Sequence, residues 1–206
     1  MMKSLITTLM LTLGVNTALQ AQGRLPTIPP DQYDTEQKQA ADEFMTARKT
    51  PVFGPFEPLM HSPQLMSQAR DMGDYLRYKS AIGTTLSELV ILITAREWTQ
   101  DYEWHVHYPI ALKAGIRQEV ADAIADGRRP QGMSEDEQIV YDFSIELHRN
   151  KRVSDTTYER AQRKFGNKGV VDLTGINAYY TLLAMQMNMA EYPLPKDARK
   201  LPRFPD

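Results

Sequence analysis

The sequence predicts an all-α protein with a single domain. Apolar residues recur at helical spacing through most of the chain, and capping residues, glycine and proline separate the helical segments. No segment shows the strict alternation of polar and apolar residues that is typical of a half-buried strand. With 206 residues, of which 42% are hydrophobic and 24% charged, the chain is long enough to bury one core. We therefore expect one bundle of helices.

The N-terminus, residues 1–21, predicts a secretory signal peptide. Lys3 gives it a positive start, and Leu5 to Val15 form a mostly apolar core of the usual length. This core is shorter than the ~20 apolar residues that a spanning helix needs. Small residues near Ala21 predict cleavage after it. We therefore expect a periplasmic or secreted protein that has no membrane association once the signal is removed.

Composition excludes two classes of interaction. The net charge is −2 and there is no basic block, so we expect no nucleic-acid partner. The chain contains no cysteine, which excludes disulfides and a lipid anchor on cysteine. The mature protein must therefore rely on packing, to which a homo-oligomer (dimer, trimer or hexamer) would add.

Three helices are predicted in the first half of the domain that we assign to residues 34–195. A proline-rich arm, residues 22–33, precedes them. The first helix spans Thr35 to Arg48, and a loop with three prolines follows it. Ser62-Pro63 begins the second helix, which runs to about Tyr78. Thr85-Leu-Ser-Glu88 has the pattern of a capping box and predicts the start of the third.

The second half continues with helices bounded by glycine or by capping residues. The predicted segments are Asp101 to Ala114, Glu119 to Ala125, Ser134 to about Asn150, Ser154 to Gly166, and Val170 to Met189. Pro109 is expected to bend the first of these. The C-terminal tail, residues 196–206, contains the segment KLPRFPD and has no evident core to join.

The residues that could carry chemistry are concentrated between Glu88 and His107. At ~100° per residue, Gln100, Glu103 and His107 share one face of a helix. A short turn near Trp98 would fold this helix back on the preceding one, so that Glu88 could approach His107. Two carboxylates around one imidazole form a centre suited to general acid–base catalysis.

A structural interpretation of the same residues stays open. Glu88 could serve only in the capping box, and Glu103 with His107 could be an ordinary i,i+4 pair that contributes a few tenths of a kcal/mol. The other three histidines are expected elsewhere. His105 points away from the shared face, His61 precedes a helix and could reach a cleft, and His148 lies at a helix C-terminus.

Ordered motifs in this chain resemble those of the carboxymuconolactone decarboxylase family, which includes the alkylhydroperoxidase D-like proteins. The resemblance covers roughly residues 53–195. The matching segments are GPFEPLMHSP, ELVIL, AREW, YEWHVH, ALKAGI, VSDTTY and NAYY. The family resemblance implies an alkylhydroperoxidase D-like helical bundle and association between subunits through the helices.

The resemblance also bears on the reaction. The peroxidase branch carries a Cys-x-x-Cys-x-x-x-His helix, and here Gln100 and Glu103 occupy the cysteine positions while His107 and the earlier Glu88 match. Thiol-dependent peroxide reduction needs a thiolate, which this chain lacks. The decarboxylase branch has a glutamate four residues before the histidine, as Glu103 is. This implies a cofactor-free lyase or isomerase acting on a small lactone or a phenolic carboxylic acid.

The resulting hypothesis assigns a role to each residue. His107 would donate a proton to carbon, Glu88 would orient its ring, and Glu103 would polarise or deprotonate the substrate. Gln100 would donate a hydrogen bond to the developing oxyanion. Further candidate contacts with the substrate are Arg96, Trp98, Trp104 and His61.

Two alternatives remain open. Glu88, Glu103 and His107 could instead bind Zn, Cu or Fe in a hydrolase or oxidase. A non-catalytic protein could hold an apolar small molecule in a cleft lined by Trp98, Trp104, Tyr179 and methionines. Oligomer contacts are expected from the segments Tyr102 to Tyr108 and Val170 to Met189.

Overall fold

The computed structural model describes residues 23–203, which form eight α-helices, one short 3-10 helix and no strand. This confirms the all-α prediction for the part of the chain that is described. The predicted signal peptide and its cleavage point lie outside the described residues. The helices are α1 Thr35–Arg48, α2 Phe56–Leu59, α3 Pro63–Tyr78, α4 Thr84–Glu97, α5 Asp101–Lys113, α6 Gln118–Ala125, α7 Glu135–Asn150 and α8 Asp155–Ala190.

Side-chain caps begin several of these helices where the sequence predicts them. Ser134 and Glu137 form the complete capping box of α7, and Ser154 caps α8 through the amide of Thr157. Asp34 and Gln37 form a second complete box on α1. These caps satisfy amides that a helix start leaves without a partner, so the helix boundaries follow from local sequence.

Two local predictions need correction. The predicted loop after α1 contains α2, which forms because Phe56 and Leu59 are both buried. The capping box predicted at Thr85 is absent, since the N-cap of α4 is Gly83, two residues earlier, and it has no side-chain cap. The break predicted at Gly166 is confirmed, because this residue interrupts α8 with a non-helical, positive φ of 67° and divides it into two helical segments.

Helix α4 lies at the centre of the bundle. It packs against α3, α5, α6, α7 and α8. Nine consecutive residues of α4, from Ser87 to Ala95, are buried. A helix that is buried on all sides is expected to be apolar all round. Any charged side chain on its central turns is therefore held in the interior and needs a partner there.

The C-terminal tail also differs from the prediction, because it does join the core. Leu201 is only 3% exposed. Its amide donates to Asp101 Oδ1 at 2.9 Å, and the guanidinium of Arg203 forms an ion pair with the same carboxylate at 2.6 Å. The tail is thereby fastened to the start of α5. Within residues 23–203, no helix combines the length and the apolar character needed to cross a membrane.

Candidate active site

The turn from α4 to α5 brings Glu88 and His107 together. Trp98 ends α4, Thr99 adopts a left-handed φ of 48°, and Gln100 caps α5. The chain reverses within these residues, so that α5 packs back along α4. As a result Glu88, near the beginning of α4, lies beside His107 in the middle of α5.

Glu88 does not cap its own helix. It is the fifth residue of α4, two residues beyond the third position from which a capping-box glutamate reaches back to the N-cap amide. Its Oε2 instead lies 2.7 Å from His107 Nδ1, and its Oε1 lies 3.3 Å from Arg77 Nη2. Glu88 is 2% exposed. The predicted capping role is therefore wrong, and the carboxylate is directed at the imidazole.

Glu103 approaches the other edge of the same ring. Its Oε2 lies 3.3 Å from His107 Nε2, one helical turn away on α5. Its Oε1 is buried and has no hydrogen-bond partner among the described residues. Burial raises the pKa of the Glu103 carboxyl above its ordinary value, and the charges of His107 and Arg77 only partly oppose this shift. A carboxyl group in this environment holds its proton more tightly than a solvated one.

The contacts of Glu88 and Glu103 with His107 differ in length, and the shorter one indicates the tautomer of the imidazole. The short contact at Nδ1 is a hydrogen bond in which the ring N–H donates to the Glu88 carboxylate. A neutral His107 then presents the lone pair of Nε2 towards Glu103. Glu103 Oε2 lies 3.3 Å from this lone pair, near enough for a proton on Glu103 to pass to the ring. Glu88, His107 and Glu103 therefore form a buried cluster of two carboxyl groups and one imidazole, which we call the relay.

Sequence reasoning missed two further members of the cluster, Arg77 and Tyr180. Arg77 comes from the end of α3 and pairs with Glu88. Tyr180, on α8, packs edge-on against His107 with ring centroids 5.3 Å apart. Burial raises the pKa of the Tyr180 phenol well above its ordinary value, so its hydroxyl keeps its proton at neutral pH. Both come from helices distant in the chain, and no local pattern marks them.

Gln100 lies at the N-terminus of α5, and both polar atoms of its side chain are hydrogen-bonded. Its Oε1 accepts from the amide of Tyr102 at 2.7 Å, and its Nε2 donates to Asn188 Oδ1 at 2.8 Å. The sequence predicted that Gln100 shares one helix face with Glu103 and His107. This prediction is wrong, because Gln100 is the N-cap of α5 and its backbone angles are extended instead of helical. Gln100 is therefore a capping residue in this structure.

Arg96 and Trp98, which were predicted to contact the substrate, make their hydrogen bonds elsewhere. Arg96 donates to the carbonyl of Pro202 in the tail, and Trp98 donates to Thr181 Oγ1. Trp104 is fully buried against Tyr108. Tyr179, which was predicted to line a cleft with Trp98 and Trp104, is buried in the core.

The remaining histidines are separated from the relay. His61 Nε2 lies 2.9 Å from the carbonyl of Pro26 in the arm, and His105 Nδ1 accepts from the amide of Arg199 in the tail. His148 Nε2 lies 3.1 Å from Thr94 Oγ1 between α7 and α4. His107 is therefore the histidine to which the carboxylates converge.

A metal centre on Glu88, Glu103 and His107 does not fit this geometry. The two carboxylates lie at opposite nitrogens of the ring, and each is within 3.3 Å of its own nitrogen. An ion bound to either nitrogen would be on the wrong side of the ring for the other carboxylate. Within residues 23–203, no group of three or more His, Cys, Asp or Glu side chains is placed to hold a metal ion.

Comparison with known proteins identifies the fold. The sequence matches no protein-family model and no curated protein. Among solved structures it is similar to the alkylhydroperoxidase AhpD core of an uncharacterized peroxidase-related protein from Ralstonia eutropha JMP134, with a TM-score of 0.68. The fold is alkylhydroperoxidase D-like. The similarity covers 85% of this chain and 94% of that one at 16% identity, a level at which it shows the fold and leaves the reaction to the site.

Proposed function

We propose that this alkylhydroperoxidase D-like protein is an acid–base enzyme, a lyase or isomerase that acts on a small lactone or a phenolic carboxylic acid. The observation that carries the proposal is the position of His107 between two buried carboxylates, at 2.7 Å from Glu88 and 3.3 Å from Glu103. Such a pair of unlike carboxyl groups around one imidazole is a general arrangement for moving a proton.

The proposed mechanism uses one proton held between Glu103 and His107 Nε2. In a decarboxylation, the bond to the carboxylate breaks, CO2 leaves, and its electron pair passes into a conjugated carbonyl to give an enolate. The shared proton is then delivered to carbon, and the site takes a proton from water. In an isomerisation the same group would remove a proton from one carbon and return it to another.

Glu88 and Tyr180 support this transfer in different ways. Glu88 fixes the ring and stabilises the imidazolium whenever His107 carries two protons. The hydroxyl of Tyr180 remains protonated, so it is the donor we propose for the developing oxyanion. It takes the role that the sequence assigned to Gln100, whose amide is occupied by Tyr102 and Asn188.

Thiol chemistry is not available to this chain, because it contains no cysteine. A peroxidase cycle through a thiolate and a resolving thiol would need two. The two cysteine positions of the peroxidase signature are Gln100, which caps a helix, and Glu103, which contacts His107. The substitution at the second position supplies the additional carboxyl group of the proposed relay.

The test is a screen for proton exchange and CO2 release. Purified protein would be incubated in D2O with butenolide acids and phenolic acids, and deuterium incorporation at carbon followed by NMR. We expect exchange or decarboxylation with at least one acid, and its loss in His107→Ala. His105→Ala is the matched control, since His105 lies on the same helix but contacts the tail. Equal activity in both variants would overturn the proposal.

We also propose export and self-association. Export rests on the signal-like segment 1–21. Self-association is supported by exposed apolar side chains on α8, among them Val171, Met185 and Met189 at 69%, 51% and 49% exposed. The segment Tyr102 to Tyr108 offers less surface for association than the sequence predicted, because Trp104 and Tyr108 are buried in the protein's own core. Light scattering of the mature protein would test the oligomer.

A further inference from the structure

Arg77 differs from the other charged residues of the relay in its exposure. The side chains of Glu88, Glu103 and His107 are 2%, 4% and 6% exposed, whereas that of Arg77 is 21% exposed. The guanidinium therefore spans the boundary between the buried relay and the surface. A molecule that approaches the relay along this side meets Arg77 first.

The donors of Arg77 are only partly used. Nη2 contacts Glu88 Oε1 at 3.3 Å, which is at the long end for a charge-assisted hydrogen bond. Nε is buried and has no hydrogen-bond partner among the described residues. A guanidinium presents five N–H donors in a planar fork that matches a carboxylate. Arg77 can therefore bind a second anion through the exposed part of its side chain while Nη2 remains near Glu88, and the buried Nε would take part only if the side chain moved.

The charges of the cluster do not oppose an anion. With one proton held between Glu103 and His107, the charges of Arg77 and Glu88 balance, and the partly exposed member of the cluster is the cation Arg77. The ring of Tyr78, which is 64% exposed, lies next to Arg77, with the guanidinium carbon 5.2 Å from its centroid. It adds an apolar face beside the cation, as a small cyclic acid would require.

We propose that Arg77 binds the carboxylate of the substrate on the partly exposed side of the relay and so selects anionic over neutral substrates. The proposal rests on the proposed function for the identity of the site. It assigns to Arg77 the role that the sequence suggested for Arg96, which instead donates to the tail. Binding would place the carboxylate on the Glu88 side of the ring, and the rest of the substrate would extend past His107 to the proton held between Nε2 and Glu103.

The experiment compares an acid with its neutral analogue. The probes are a butenolide acetate, an unsaturated lactone that carries a carboxymethyl group, and its primary amide, with binding measured by calorimetry. For the acid we expect Arg77→Gln to weaken binding by about 10- to 100-fold, and Arg77→Lys to weaken it less because the charge remains. For the amide we expect little change in either variant.

Two controls separate recognition from a purely structural role. Arg77 also neutralises buried Glu88, so the folding of Arg77→Gln is checked by thermal melting. If Arg77→Gln does not fold, Arg77→Lys, which preserves the charge, is used in its place. Arg160→Gln is the matched variant, since Arg160 is 33% exposed and pairs with Asp142 at 3.0 Å in another part of the bundle. It is expected to leave the affinity for the acid unchanged.

The outcomes distinguish the two proposals. If the acid binds through Arg77 but neither exchanges protons nor loses CO2, the binding role stands and the acid–base function is wrong for this class. If proton exchange depends on His107 but the Arg77 variants weaken the binding of the acid and of the amide equally, the proposed function stands and the recognition role of Arg77 is overturned. A wild-type protein that binds the amide as tightly as the acid overturns it as well.

Discussion

Glu88 Oε2 and His107 Nδ1 lie 2.7 Å apart in the interior of the bundle, on helices α4 and α5. Both side chains are almost fully removed from solvent. A hydrogen bond between a carboxylate and an imidazole is strong in such surroundings, where few water molecules compete for it. The bond leaves Nε2 as the nitrogen that faces Glu103, and this is the nitrogen to which the proposed function assigns proton transfer.

Replacing Glu88 by glutamine is expected to lower turnover by about 10²- to 10⁴-fold. An amide can donate to Nδ1, which would favour the opposite tautomer and leave Nε2 protonated in the resting state. The ¹⁵N shifts of His107 should report the change of tautomer independently of activity. Glu97→Gln is the control, because Glu97 lies on the same helix but pairs with Arg149 at the periphery. Unaltered ¹⁵N shifts in Glu88→Gln would contradict the orienting role.

Glu103→Gln should make the folded protein more stable at neutral pH while abolishing turnover. Burial raises the pKa of Glu103 above 4.5, so its contribution to stability is fully present below pH 4.5 and is lost as pH rises through the folded pKa. Glutamine has no charge to bury and avoids this loss. Urea unfolding should therefore give a higher midpoint for the variant at pH 7, with the difference shrinking towards pH 4.5. A lower midpoint at pH 7 would show that the carboxylate is well compensated.

His148 should make the protein less stable in acid. Burial lowers the pKa of this imidazole below 6.5, so its contribution is present above about pH 6.5 and is lost as pH falls through the folded pKa. His148→Gln keeps a partner for Thr94 and removes the titration. Comparing urea midpoints at pH 5 and pH 7.5, we expect a smaller acid-induced decrease in this variant than in wild type. His105→Gln, at the tail contact, should behave as wild type does.

Leu201→Ala should lower the free energy of unfolding by about 2–3 kcal/mol, in the range for a buried leucine. Leu201 is 3% exposed although it lies in the C-terminal tail. Leu65→Ala is the matched control, since Leu65 is 36% exposed on α3 and should change stability by less than about 0.5 kcal/mol. Equal effects of the two changes would mean that the tail does not pack on α5 in solution.

The helices of this protein could largely be predicted from local sequence. Ser134 and Ser154 cap α7 and α8, and Gly127 follows α6 with a positive φ of 67°. Local prediction failed at α2, whose short helix depends on burying Phe56. It failed also at Glu88, which together with Thr85 has the pattern of a capping box that α4 does not form. In both cases a tertiary contact outweighed the local preference.

The candidate site was predicted only where its members are close in sequence. Glu103 and His107 are one helical turn apart, so their contact follows from the geometry of a helix. The approach of Glu88 required the additional assumption of a tight turn at Trp98, which the left-handed Thr99 provides. Gln100 was misplaced because a capping residue does not continue the face of its helix.

The sequence by itself determined the helical class, the lack of thiols and the i,i+4 pair that faces the core. These properties depend on composition and on the period of the helix, which act over a few residues. Only the tertiary structure decided that Arg77 and Tyr180 join the cluster and that the tail covers α5. Such contacts depend on how separate helices pack against each other. Residues on separate helices are not related by the helical period, so the sequence pattern does not show that they meet.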